Sequence, residues 1–182
     1  MKTTLASLFE HYLQRCSAEL FAEYGVELTP HDGESPGSVS DGVAGVIGFA
    51  GENIKGSLLL GTTSAVVRST YPVSTANGAE PGSSALVDWT SELSNQLLGR
   101  LKNRLLLHDV SFIMSTPVSL AGDHLRHPKL ASANQRSVSL RAPTGIVVVS
   151  IEAEVDAGLE FRAEPMQQCD VGVAGEGDVL LF

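Results

Sequence analysis

Asp88-Trp-Thr-Ser-Glu92-Leu-Ser-Asn95-Gln-Leu-Leu-Gly99-Arg-Leu-Lys-Asn-Arg-Leu105 decides how this chain is read. In a helix, successive residues turn by about 100°. Trp89, Leu93, Leu97, Leu101 and Leu105 then form one apolar stripe, widened by Leu86 and Leu98, which suits a helix packed on a core. The pattern predicts a helix over 86–107. Asp88, Glu92, Asn95 and Gly99 form a second, polar stripe at spacings of four, three and four. A helix built only for stability would use neither Asn nor Gly, since Gly costs about 1 kcal/mol against Ala. Gly99 leaves a notch one turn beyond Asn95, where another backbone can approach. On spacing alone, a Glu and an Asn three apart read as an ordinary solvated face.

Upstream, Leu5, Leu8, Phe9, Tyr12, Leu13, Cys16, Leu20 and Phe21 recur at three- and four-residue spacings, which predicts a first amphipathic helix. Thr3 or Thr4 can cap it, and Gly25 suits its C-terminal end. Val26–Leu28 reads as a short strand and residues 31–42 as loop. Val43–Ala50 and Ile54–Leu60 flank the turn Gly51-Glu52-Asn53, a hairpin. Glycines at 45, 48, 56 and 61 imply that something packs closely on this sheet. Thr63–Tyr71 is a short helix stopped before Pro72, and residues 74–85 are loop.

Downstream, Asp109–Ser115 reads as a strand ended by Pro117, and residues 122–137 as a basic, His-containing loop. Gly145–Glu154 and Leu159–Glu164 are two further strands joined through Asp156-Ala157-Gly158. Each half thus has a long helix, a strand after it, a polar loop and a hairpin, at a period of about 80 residues. The order predicts an α+β fold, a mainly antiparallel sheet with the long helices on one face. Residues 1–165 form the single domain, and 166–182 a C-terminal extension, either a last strand or a tail.

The chain has 182 residues, 43% hydrophobic and 18% charged, enough for one domain with a core and too apolar for disorder. With 12 basic and 21 acidic side chains its net charge is −9, which argues against nucleic acid and anionic membrane as partners. Cys16 and Cys169 make no disulfide scaffold and close no zinc site by themselves. Glu10, His11, Gln14 and Arg15 interrupt any signal-peptide core, and no apolar run reaches membrane-spanning length. A cytoplasmic location is the expectation.

With its surroundings, the polar stripe resembles the CheC/CheX family of chemotaxis phosphatases, and its CheX branch most. The matching residues are Glu92-Leu-Ser-Asn95 followed by Gly99. Asp88 precedes them, Asp109-Val-Ser-Phe-Ile-Met-Ser-Thr-Pro117 follows the helix, and the Gly-rich hairpin Gly45–Gly56 lies upstream. The resemblance spans roughly residues 5 to 165. It implies a phosphatase acting on a phosphorylated CheY-like response regulator, with Glu92 and Asn95 as catalytic residues and Asp88, Ser91 and Gly99 as partner-binding positions. Family members with two functional helices carry two Glu-x-x-Asn motifs, whereas here Glu10 is followed three later by Leu13 and Glu19 by Ala22. One motif on the second long helix is the CheX pattern, and CheX proteins are homodimers. The glycine-rich, apolar hairpin would otherwise expose a sheet edge, which also points to pairing with a second copy. No cofactor belongs to the chain itself, and magnesium is expected in the regulator. A non-catalytic binding or dimerisation module on the same fold is the alternative.

The chemistry suits the residues. A regulator's aspartyl phosphate lacks only a water held in line with phosphorus. A carboxamide accepts one hydrogen bond from that water and donates another without repelling phosphoryl oxygens, so Asn95 suits the task. Glu92 is repelled by phosphate, and the resemblance puts it on the regulator's Lys. Asp88 also reads as a first-turn helix acid, Trp89 as a core anchor, and Arg100, Lys102 and Arg104 as complements to the helix dipole. Gln96, about 100° off the stripe, is expected to play no part. His124 and His127 lack a carboxylate or Cys to complete a metal site. Neither a nucleophile elbow nor a phosphate-binding loop occurs.

Overall fold

The computed structural model describes residues 5–33, 39–72, 80–126 and 135–156. Its elements run α1 (Leu5–Glu23), β1 (Thr29–Pro30), β2 (Gly42–Ala50), β3 (Ile54–Thr63), α2 (Ser64–Thr70), α3 (Ser83–Leu106), β4 (Ile113–Met114), β5 (Val118–Gly122), β6 (Gln135–Ala142) and β7 (Gly145–Val155). The strands form one antiparallel sheet in the order β1-β6-β7-β3-β2, with β4 and β5 both paired along the far side of β2. α1 lies over β6 and β7, α3 over β2, β3 and β5, and the two helices touch each other. This is the expected α+β arrangement of long helices on a mainly antiparallel sheet.

Period-two burial sets the layers. In β2, Val43, Ile47 and Phe49 are buried while Val46 and Ala50 are exposed. They meet the apolar stripes of the helices: Leu13, Cys16 and Leu20 of α1, and Leu93, Leu97, Leu101 and Leu105 of α3, each 0% exposed. α3 sits so close to β2 that a Cβ on Gly45 would approach Ser119 Oγ to 2.9 Å and the Thr90 carbonyl to 3.2 Å. The glycine permits that helix–sheet contact.

Both long helices end in one capping turn. Gly25, at φ +76°, donates its N–H to Ala22 O, and Val26 donates to Phe21 O. Asp109, at φ +60°, donates to Leu106 O, and Val110 to Leu105 O. Such turns need a left-handed residue, which Gly accepts at no cost and Asp tolerates. A shift of 84 residues carries Gly25 onto Asp109, Tyr24 onto His108 and Tyr12 onto Gln96, a repeat in backbone rather than side chains.

Several boundaries differ from the sequence reading. α3 begins at Ser83, after Gly82, three residues earlier than expected. Of 109–115 only Ile113–Met114 is strand, because Asp109 caps α3 and Val110 and Phe112 turn into the core. The first short strand is Thr29–Pro30 rather than 26–28, where Val26 and Leu28 are buried instead. β5 and the start of β6 fall beside or within the loop expected over residues 122–137. The second hairpin is β6–β7, closed between Ala142 and Gly145. The expected strand 159–164, the extension 166–182 and the Thr3/Thr4 cap lie outside the described residues. The β2–β3 hairpin is interior, flanked by β7 on one side and by β4 and β5 on the other, so it leaves no open edge.

Candidate functional site

α3 separates its two faces as the pattern requires. Leu86, Leu93, Leu97, Leu98, Leu101 and Leu105 are buried, while Asp88 and Glu92 are exposed and Asn95 and Gly99 half-buried. Glu92 and Asn95 therefore project from one rigid helix face, about 4.5 Å apart along the axis. Among the described residues nothing hydrogen-bonds the Asn95 carboxamide, so its donor and its acceptor face outward together. Gly99 has an ordinary helical backbone, and a Cβ added there would meet nothing within 4 Å. The fold does not require glycine at that position.

The Glu92 carboxylate is braced. Its Oε1 accepts a hydrogen bond of 2.8 Å from Gln96 Nε2, one turn on. Gln96 Oε1 in turn accepts 2.8 Å from the Tyr24 hydroxyl, at the end of α1. Tyr24 stands edge-on to Trp89, ring centres 5.1 Å apart. The Trp89 indole N–H donates 3.0 Å to Thr70 Oγ1 of α2. Gln96, expected to be a bystander, thus touches a candidate site residue. The reason is angular: 100° from Asn95, it lies only about 40° from Glu92, at the i,i+4 spacing where side chains meet. That signal was present in the sequence. Tyr24 carried none, since it reaches the site only through the packing of α1 on α3.

Ser91 turns toward the sheet and donates 2.8 Å to Ser119 Oγ on β5. Asp88 points to solvent. Arg104 does more than complement the helix dipole, since it donates 2.9 Å to Glu19 Oε1. Arg100 pairs with Glu23. Both salt bridges tie α3 to α1. Burial acts to raise the Glu19 pKa, but Arg15 and Arg104 outweigh it and hold the carboxyl below its usual range. In the other half of the repeat, the position equivalent to Glu92 is buried Leu8 and that of Asn95 is His11, so α1 presents no matching pair. Among the described residues no three His, Cys, Asp or Glu side chains form a metal cluster. His127 lies outside them. No helix among the described residues is long and apolar enough to cross a membrane.

No family model and no curated protein matches the sequence. Solved structures do match. The chemotaxis protein CheX from Vibrio vulnificus superimposes with a TM-score of 0.69 at 18% identity, covering 84% of this chain and 100% of that one. A CheC-like superfamily protein from a Shewanella species gives 0.67 at 20%, covering 84% and 99%. CheX from Borrelia burgdorferi, solved in complex with CheY, BeF3 and magnesium, gives 0.56 at 15%, covering 79% and 96%. The fold of this chain is the fold of the CheX and CheC-like chemotaxis proteins.

Proposed function

We propose that this chain hydrolyses the aspartyl phosphate of a CheY-like response regulator. The observation that carries the reading is the α3 stripe, an outward-facing carboxamide and a braced carboxylate on one helix, beside an open notch at Gly99. A site on a helix surface suits a folded partner, which brings its own phosphoryl group, magnesium and Lys. The fold supports the choice of partner, because a CheX of the same fold is known in complex with CheY.

In this mechanism α3 docks against the phosphorylated site. Glu92 pairs with the regulator's Lys, which fixes the register of docking. Asn95 then accepts a hydrogen bond from a water and donates one toward the phosphoryl group, which holds the water in line with phosphorus. Phosphoryl transfer needs little covalent help from the protein, so positioning supplies the acceleration. The notch at Gly99 lets the regulator backbone come close enough for both contacts. Asp88 adds negative charge at the rim.

The same reading includes a homodimer. Support comes from the β4/β5 side of the sheet, where Ile113, Val118 and Leu120 are 75%, 68% and 48% exposed. An apolar edge of this kind favours pairing with another strand. A solution mass of twice 19.2 kDa is expected by light scattering, and a monomer mass throughout the micromolar range would contradict it.

The test of activity is direct. A CheY-like regulator is phosphorylated with acetyl phosphate, freed of the donor, and its loss of phosphate followed in magnesium with and without this protein. Catalytic amounts should accelerate the loss. An unchanged rate at saturating protein would leave only a binding role.

A further inference from the structure

We propose that Gln96 is a positioning residue for Glu92, anchored from α1 by Tyr24, so that the docking carboxylate is set in place before the regulator arrives. The proposal rests on the docking role given to Glu92 above. Its own basis is a two-bond relay: Tyr24 hydroxyl to Gln96 Oε1 at 2.8 Å, and Gln96 Nε2 to Glu92 Oε1 at 2.8 Å. An amide can accept at one end and donate to a carboxylate at the other. A Glu or Lys at 96 could not do both.

The relay has a fixed base. The capping turn at Gly25 places Tyr24 against α3, where Trp89 holds its ring edge-on. The 84-residue repeat supplies an internal comparison. There the equivalent pair is His108 and Tyr12, 2.7 Å apart and buried, and the position equivalent to Glu92 is Leu8. Both halves tie the residue before the left-handed cap to the middle of the opposite helix. Only the half that carries the motif is half-open to solvent and extends the tie to a surface carboxylate.

A long exposed Glu otherwise samples many rotamers, and ordering it on binding weakens association. Removing the brace should therefore raise the regulator concentration at half-maximal rate and leave the turnover at saturation nearly unchanged. Gln96→Met keeps length and helix propensity while removing both hydrogen bonds. Tyr24→Phe removes only the anchor.

The experiment is steady-state dephosphorylation of a phosphorylated CheY-like regulator by wild type, Gln96→Met, Tyr24→Phe, Glu92→Ala and the double variant Glu92→Ala/Gln96→Met, with thermal melts alongside. For Gln96→Met the half-saturating concentration should rise about 3- to 10-fold, the scale of ordering one flexible side chain, with turnover changed less than about twofold. Tyr24→Phe should shift it the same way by less. In the Glu92→Ala background Gln96→Met should add nothing, which a merely structural role would not produce. Wild-type half-saturation in Gln96→Met, or an equal shift with and without Glu92, would overturn the relay while leaving the phosphatase reading intact. A wild type that does not accelerate the reaction would overturn the phosphatase reading, and the relay's docking role with it.

Discussion

Gly99 should separate what the fold needs from what the site needs. It lies within α3 at ordinary helical dihedrals, and a Cβ there meets nothing within 4 Å. Gly99→Ala should then stabilise the protein by the difference in helix propensity, about 1 kcal/mol. With an unfolding entropy of about 2.1 cal/mol/K per residue over the 132 described residues, that is a rise in Tm of about 4 °C. Docking should move the other way. The notch is one turn beyond Asn95, and the regulator must come within hydrogen-bond reach of that side chain. Gly99→Gln fills the notch with a longer chain, keeps the net charge and still favours helix. It should raise the half-saturating regulator concentration about tenfold or more while Tm stays at or above wild type. Melting by circular dichroism and steady-state dephosphorylation read the two effects separately. A fall in Tm for Gly99→Ala would show that the chain itself requires glycine. Unchanged docking in Gly99→Gln would show that no partner uses the notch.

Two further outcomes concern the α1–α3 frame. Glu19 has its folded pKa held down, so its contribution to stability is complete above the ordinary carboxylate range and is lost as pH falls through the lowered folded value. Glu19→Gln should flatten the acid limb of stability against pH, measured by urea unfolding, and a limb as steep as wild type would exclude the effect; the site is exposed enough to make it modest. Cys16 is buried on the core face of α1, and its thiol is pushed up to about 11, first by burial and then by Glu19. In a Cys169→Ser background it should resist a thiol reagent at pH 8 until the protein unfolds, and stoichiometric labelling of the native protein would contradict that burial.

The parts legible from sequence were those with long, unbroken periodicity. Twenty-odd residues of 3.6-period pattern fixed the faces of α3, and with them the sides on which Glu92 and Asn95 stand. The β2–β3 hairpin was legible because its alternation and its glycine-bearing turn agree. β6 alternates just as clearly, with Val138, Leu140 and Ala142 inward. Its turn at Pro143-Thr144 lacks the Gly or Asn that marks a tight hairpin, so the β6–β7 pairing is hard to read from sequence. β5 is not legible because it is an edge strand whose apolar residues Val118 and Leu120 face solvent, which leaves no burial pattern in the sequence. Asp109 opens the expected strand because a left-handed Asp at a helix cap looks like any other polar residue in sequence. Gln96 is the opposite case: its i,i+4 relation to Glu92 is local and legible, although it stands about 100° from Asn95. The long-range partners could not be read locally. Tyr24, Glu19 and Glu23 reach α3 across 70 residues or more, through the packing of one half of the repeat on the other.

The central claim is that Asn95 positions the attacking water, and Asn95→Ala tests it most directly. Ala is the better helix former, and the Asn95 carboxamide bonds no described residue, so the fold should be kept. Turnover of the phosphorylated regulator at saturation should fall about 10²-fold or more, the scale expected when a positioning group is lost. Affinity for the same regulator carrying beryllofluoride and magnesium should change less than about threefold, because docking rests on Glu92. Undiminished turnover in Asn95→Ala, against a regulator that the wild type dephosphorylates, would contradict the account.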